Sequence, residues 1–128
     1  MKDKGPIYNK SKEFALEIIK LCRNLQGDKE YIISNQIFRS ATSIGANYRE
    51  AIAAESDNDF IHKIAVATKE AHETQYWLEL LSDGGYINQD YFNSLNNLLD
   101  EIIRMMTASV LTMKKKTMWC ASHSKFIT

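Results

Sequence analysis

The segment predicted to be helical from Lys29 to Ala54 carries two stripes, and this pairing constrains the fold more than any other feature. Its apolar stripe recurs at the spacing of one helix face and consists of Ile37, Ala41, Ile44, Tyr48 and Ala51. At about 100° per residue, a polar stripe spanning roughly 80° lies opposite, formed by Arg39, Ser43, Asn47 and Glu50. A helix with two organised faces is typical of one packed between two neighbours. The pattern therefore predicts a helical bundle.

Three further segments have helical periodicity: Ser11–Leu25, Asp59–Ser82, and a heptad-patterned stretch from Asn88 or Gln89 to about Lys115. Five glycines and one proline in 128 residues favour long uninterrupted helices. Because the connections are short, we predict an all-α fold, an antiparallel up-down-up-down four-helix bundle. The predicted organisation is a flexible N-terminus at 1–10, the bundle at 11–115 and a tail at 116–128.

Residues at the predicted helix ends and crossings support this assignment. Ser11 is a candidate N-cap, and Gly27 with Asp28 marks a break. Gly45 lies in the middle of the second helix, where glycine costs about 1 kcal/mol relative to alanine. We therefore expect a neighbouring helix to approach closely at Gly45.

Composition indicates a cytoplasmic protein. The chain has only two cysteines, with Cys22 on an apolar helix face and Cys120 in a polar segment, which does not resemble a disulfide framework. The first residues contain no apolar stretch typical of a signal peptide. No segment approaches the 18 or so consecutive apolar residues of a membrane span.

Charge is distributed unevenly, although 16 basic and 16 acidic residues give a net charge of zero. From Glu50 to Glu101 there are eleven acidic and two basic residues, whereas the remainder has five acidic and fourteen basic. Such asymmetry is compatible with complementary surfaces for self-association or with ordinary solvated faces. The third and fourth helices are also apolar over more width than one partner helix needs, which predicts contact with another subunit.

Two separated motifs resemble those of a known family. The first is Arg39, Ser43, Ile44, Asn47 and Glu50; the second is Phe60 with the run from Lys69 to Leu78. Both are similar to motifs of the small bacterial four-helix-bundle proteins encoded in intervening sequences of 23S ribosomal RNA genes. That family includes the accessory variability protein of diversity-generating retroelements. One departure is Ala51, where the family often has glycine.

The resemblance implies a closed homo-oligomer, typically a five-membered ring, with no established catalytic activity and no cofactor. By this resemblance, the chain is related to retroelement proteins that bind nucleic acid and a reverse transcriptase through strongly basic surfaces. This chain is neutral overall.

The polar stripe has two interpretations. It can form a ligand site, or it can form a structural network with the third helix through Glu70, Glu73 or Gln75. The network is the favoured interpretation, because a polar network in which every member is bonded fixes helix register.

Acidic motifs offer an enzymatic alternative, a Mg²⁺-dependent all-α nucleotide pyrophosphatase. Glu70-x-x-Glu73 and Asn97-x-x-Asp100 have the spacing such enzymes use to hold Mg²⁺ against phosphates. Carboxylates three residues apart are also common on solvated helix faces. A di-iron site is not predicted, since only Asp59-x-x-His62 approximates the necessary motif.

Lysines near both ends of the chain predict a basic rim at one end of the bundle. In an up-down bundle the start of the first helix and the end of the fourth lie together. This would gather Lys2, Lys4, Lys10, Lys12, Lys114, Lys115, Lys116 and Lys125, with Trp119 and Phe126 available to stack. The rim would bind RNA or a protein partner in a non-enzymatic scaffold. Alternatively, these lysines only confer solubility.

Overall fold

Four helices form the fold in the computed structural model, which describes residues 4–124. They are α1 (Pro6–Gly27), α2 (Ile32–Ile52), α3 (Asp57–Asp83) and α4 (Gln89–Ser124), and no strand occurs within the described residues. Each helix packs against the next in sequence, and α1 closes the bundle by packing against α4. The predicted antiparallel up-down-up-down four-helix bundle is therefore confirmed.

The core is built from the predicted apolar stripes of all four helices. Its largest fully buried hydrophobic side chains are Phe14, Ile18, Ile37, Ile44, Ile64, Leu78, Leu81, Leu99, Ile102 and Met106. Every buried side-chain nitrogen and oxygen in the described part of the chain has a hydrogen-bond partner. The interior thus combines close packing with few buried polar groups, all of them satisfied.

The first helix begins at Pro6, five residues before the predicted start at Ser11, so residues 6–10 of the predicted N-terminal segment are helical. Gly5 adopts a positive φ of 95° before the helix, and proline fits the first helical position because its fixed φ suits a helix and the missing N–H needs no partner there. Ser11 is not an N-cap. It is buried on the inner face of α1, and its hydroxyl donates to the carbonyl of Tyr8 at 3.2 Å.

Ser11 lies where α1 passes close to Gly45 of α2. A Cβ atom added at Gly45 would lie 3.2 Å from Ser11 Oγ, tighter than ordinary van der Waals contact. The predicted close approach of a neighbouring helix at Gly45 is confirmed, and the neighbour is α1.

The turn between α1 and α2 is organised around the buried Ser34. The Glu30 carboxylate accepts hydrogen bonds from the backbone N–H groups of Ile33 (3.0 Å) and Ser34 (2.8 Å), and so caps α2. Gln26 Nε2 donates to Ser34 Oγ at 3.3 Å, and the Cys22 thiol donates to the Ser34 carbonyl at 3.4 Å. Burial raises the pKa of the Cys22 thiol, which keeps it protonated as a donor. Helix α2 accordingly starts at Ile32 rather than Lys29.

The fourth helix continues to Ser124, so residues 116–124 of the predicted tail are helical. No glycine or proline interrupts this stretch, and its hydroxyl and imidazole groups bond to carbonyls of the preceding turn, as in Thr117 to Met113 (3.0 Å). Thr117 Oγ1 also donates to Asp57 Oδ2 at the start of α3 (3.4 Å). Because α4 runs seven residues beyond Thr117, its end projects past the bundle.

Candidate functional site

Arg39 is the main link between the predicted polar stripe on α2 and the carboxylates of α3. Its Nη1 donates to the two carboxylate oxygens of Glu70 at 3.1 and 3.4 Å, and its Nη2 donates to Glu73. Trp77 Nε1 donates to the same Glu73 oxygen at 3.0 Å. One guanidinium thus holds two carboxylates a helical turn apart, and the indole fixes the second.

The two carboxylates of this cluster affect the pKa of Arg39. Partial desolvation lowers the pKa of Arg39, but the hydrogen bonds and negative charges of Glu73 and Glu70 outweigh it and raise that pKa above its usual value. The arginine side chain is half exposed, so solvent screens the pairing and its contribution to stability is small. The cluster orients α2 relative to α3 more than it stabilises either.

The remaining members of the polar stripe do not join the predicted network. Ser43 Oγ donates to the carbonyl of Arg39 (2.7 Å), and Asn47 Nδ2 donates to the carbonyl of Ser43 (2.8 Å), so both bond to their own helix. Glu50 lies 3.8 Å from Lys63 of α3, in a solvent-exposed pair. Only the two charged residues of the stripe reach α3.

The buried polar contact between α2 and α3 involves residues that sequence reasoning missed. Thr74 Oγ1 lies 2.8 Å from Ser40 Oγ, and neither residue is exposed to solvent. Thr74 Oγ1 is equally close to the carbonyl of Glu70, while Ser40 Oγ donates to the carbonyl of Ile37 at 3.4 Å. The position of Ser40 in the sequence could have revealed this contact, because Ser40 lies beside Ile37 and Ile44 at the edge of the apolar stripe.

Gln75, the third predicted partner of the stripe, instead faces α4. Its Nε2 donates to Asp100 Oδ1 (2.6 Å) and to Asn96 Oδ1 (3.3 Å), and its Oε1 lies 3.3 Å from His72 Nδ1. This network joins the outer edges of α3 and α4.

The carboxylates of the pyrophosphatase alternative are not brought together. Glu70 and Glu73 lie on the α2 side of α3, held by Arg39, whereas Asp100 lies on the α4 side, held by Gln75. Among residues 4–124, no group of three or more His, Cys, Asp and Glu side chains could hold a metal ion.

An apolar groove of about 360 Å³ lies on the outer surface between α3 and α4. It is lined by Ile61, Ala65, Thr68, Thr107, Val110, Leu111 and Lys114. Leu111 is 53% exposed, which is high for a leucine beside other apolar side chains. This groove lies on the two helices whose sequence is apolar over excess width.

The lysines of the predicted rim are dispersed around the bundle. Lys10 forms an ion pair with Glu101 of α4 at 2.8 Å. Lys12 lines a groove between α1 and α2 together with Arg49, whereas Lys114 lines the α3–α4 groove on the other side. Lys115 and Lys116 are exposed on α4. Lys2, Lys125 and Phe126 lie outside the described residues.

The projecting end of α4 carries an exposed aromatic pair. The rings of Trp119 and His123 stack with centroids 4.0 Å apart and planes inclined by 21°. Trp119 is 61% exposed and the neighbouring Met118 is 71% exposed. None of the described helices is both long and apolar enough to cross a membrane.

Comparisons with known proteins agree with the motifs. A family model described as 23S rRNA-intervening sequence protein matches residues 4–108, so the last turns of α4 lie beyond the matched region. Among solved structures, the chain is similar to a protein with unknown function from the S23 ribosomal protein family of Bacteroides thetaiotaomicron. The two are 46% identical with a TM-score of 0.80, over 82% of this chain and 98% of that one. A comparison with curated proteins finds no match.

Proposed function

This chain belongs to the family of 23S rRNA-intervening sequence proteins, and we propose that it is a non-enzymatic scaffold whose copies assemble into a closed ring and bind RNA. Five copies is the ring size that the family resemblance implies. The observation that carries the proposal is the groove between α3 and α4, where Ile61, Val110 and Leu111 present apolar surface to solvent.

Contact with a second copy of the chain would explain why the groove is apolar, because the contact would remove this surface from water. Exposed apolar surface that is contiguous across two helices is typical of interaction sites. A contact between two different surfaces of identical chains must close into a ring or extend into a filament. The excess of acidic residues from Glu50 to Glu101, against the basic excess elsewhere, supports a contact between unlike surfaces.

RNA is the proposed ligand because three adjacent exposed lysines lie on the last turns of α4. Lys114, Lys115 and Lys116 are adjacent and exposed, and a ring would repeat this group once in each copy. Repetition increases the strength of a weak electrostatic contact. Lys10 contributes less to such a surface, since it is already paired with Glu101.

Native mass spectrometry of Leu111→Asp tests the assembly. We expect the wild-type protein to give a ring of 14.7 kDa protomers and Leu111→Asp to give monomers, because a carboxylate at the centre of this apolar contact would lose its hydration when the second copy covers the groove. Ile32→Asp is the matched control: Ile32 is 79% exposed on α2, outside the groove, and should leave the ring intact.

Two results would contradict the proposal. A wild-type protein that is monomeric at micromolar concentration would refute the ring. Release of pyrophosphate from a nucleotide with Mg²⁺, lost in Glu73→Gln, would show that the protein is an enzyme.

A further inference from the structure

We propose that the projecting end of α4 binds unpaired RNA nucleotides by stacking bases on Trp119 and His123 and pairing phosphates with Lys115 and Lys116. These four residues are called the α4 stripe. The inference rests on the proposed RNA-binding function and assigns it to a specific surface and to a class of RNA. The stripe lies beyond residue 108, outside the region that the family shares.

The four residues of the α4 stripe share one face of the helix. Lys115, Trp119 and His123 follow each other at intervals of four residues, and Lys116 precedes Trp119 by three. At about 100° per residue, all four fall within roughly 100° around the helix axis. Aromatic rings and ammonium groups are therefore presented in the same direction.

This face points away from the bundle. Thr117, which bonds to Asp57 of α3, marks the side of α4 that faces its neighbour. Trp119 is two residues further on, about 160° from Thr117 around the helix. Its 61% exposure agrees with that placement, so a ligand can reach the indole without any movement of the bundle.

The two rings form a preorganised stacking surface. His123 Nδ1 lies 2.9 Å from the carbonyl oxygen of Trp119 and must donate to it, since a carbonyl only accepts. This bond holds the imidazole against the indole, with planes only 21° apart. A base that stacks on the free face of either ring meets a surface whose orientation is already fixed, which reduces the entropic cost of binding.

The charge around the α4 stripe suits a phosphate backbone. From residue 102 to residue 128 the sequence contains five basic residues and no Asp or Glu. Asp57, the carboxylate that contacts this end of α4, lies on the Thr117 side of the helix, opposite Trp119.

Single-stranded rather than duplex RNA fits this chemistry. Every base has a π face, so stacking on an aromatic side chain tolerates any sequence, but in a duplex those faces are already covered by neighbouring base pairs. Lys115 and Lys116, which precede the aromatic pair along α4, can then neutralise neighbouring phosphates, which makes the affinity depend on salt.

Tryptophan fluorescence of the full chain tests the assignment. The protein has two tryptophans, so Trp77→Phe leaves Trp119 as the sole indole. We expect single-stranded oligouridylate of twelve nucleotides to quench Trp119 emission saturably, and a duplex of equal length to bind at least about tenfold more weakly.

In fluorescence anisotropy, Trp119→Ala should weaken single-strand binding by about tenfold and Trp119→Phe should restore much of it. Lys115→Ala and Lys116→Ala should each reduce the slope of log affinity against log salt by about one.

Met118→Ala is the matched control, because Met118 is 71% exposed, more than Trp119, but lies outside the α4 stripe; it should leave RNA affinity unchanged. If wild-type and Trp119→Ala proteins bind the single strand equally, the stacking surface is wrong, whereas the proposed RNA binding through Lys114, Lys115 and Lys116 survives. If the ring forms but no RNA binds, both the stripe and the RNA ligand are refuted. Equal affinity for duplex and single strand, or capture of a protein with no RNA affinity, would also overturn the inference.

Discussion

The hydrogen bond between Thr74 and Ser40 is the residue-scale contact that ties α3 to α2 inside the core. We expect Thr74→Val to reduce the free energy of unfolding by about 1–2 kcal/mol, because it leaves the buried Ser40 oxygen without its closest donor. Ser40→Ala should reduce the free energy of unfolding by less than Thr74→Val does, since the Thr74 hydroxyl can still donate to the carbonyl of Glu70. Urea unfolding at fixed protomer concentration measures both values.

The double variant decides whether the two hydroxyls act together. When both polar groups are absent, no unpaired group remains in the core, so the double variant should cost less than the sum of the single ones. Costs that add to within about 0.5 kcal/mol would show that the two residues contribute independently.

Residue roles were only partly predictable from the sequence. Arg39 was correctly expected to reach Glu70 and Glu73, because long charged side chains on facing helices find each other across several ångströms. Ser43 and Asn47 were expected to do the same, but short polar side chains in a helix bond readily to the carbonyl four residues earlier. Periodicity assigns a residue to a face; it does not choose between bonding to its own helix and to a neighbour.

At the scale of a single helix, Glu30 governs the start of α2. Its carboxylate accepts two backbone N–H groups, one of them from the buried Ser34, and it lies at the positive end of the helix dipole. We expect Glu30→Ala to lower the free energy of unfolding by about 1–2 kcal/mol, and Glu30→Gln to lower it less. Thermal and urea denaturation followed by circular dichroism would report the change.

A matched exposed glutamate separates capping from general charge effects. Glu13 lies on the outer face of α1, and Glu13→Ala should change stability by less than about 0.5 kcal/mol. If Glu30→Ala has no larger effect than Glu13→Ala, the carboxylate does not cap the helix in solution.

Helix number and order were predictable at this scale, as were the end of α1 at Gly27 and the start of α4 at Gln89, whereas the starts of α1 and α2 and the end of α4 were not. The apolar stripes gave four segments because a buried face must repeat at the helical period. Ser11 was misjudged as a cap since serine favours that position, yet it also fits where helices pass closely, as it does against Gly45. The stronger start signal was Pro6 after Gly5. The end of α4 carries no apolar stripe, so periodicity alone could not extend the helix to Ser124.

At the scale of the whole molecule, the sequence predicted unequal charge and surplus apolar width but not where they lie. The folded chain concentrates the apolar surplus in the α3–α4 groove. It also uses Glu70 and Glu73 within the protomer, paired with Arg39. Other exposed acidic residues on α3, such as Glu79 and Asp83, can present negative charge to a neighbouring copy.

Glu79→Lys tests whether charge pairing between copies supports the ring. Reversing one exposed charge in the acidic stretch should weaken association by about three- to tenfold per interface, because an attractive contact becomes repulsive. Raising the salt concentration from about 0.1 to 1 M shortens the screening length from about 10 to 3 Å; this should weaken the wild-type ring and reduce the difference between the two proteins. Sedimentation velocity across this range measures both effects, with Glu13→Lys on α1 as the control of equal charge change. A wild-type ring that is equally stable at both salt concentrations and unaffected by Glu79→Lys would mean that the apolar groove, without charge matching, holds the copies together.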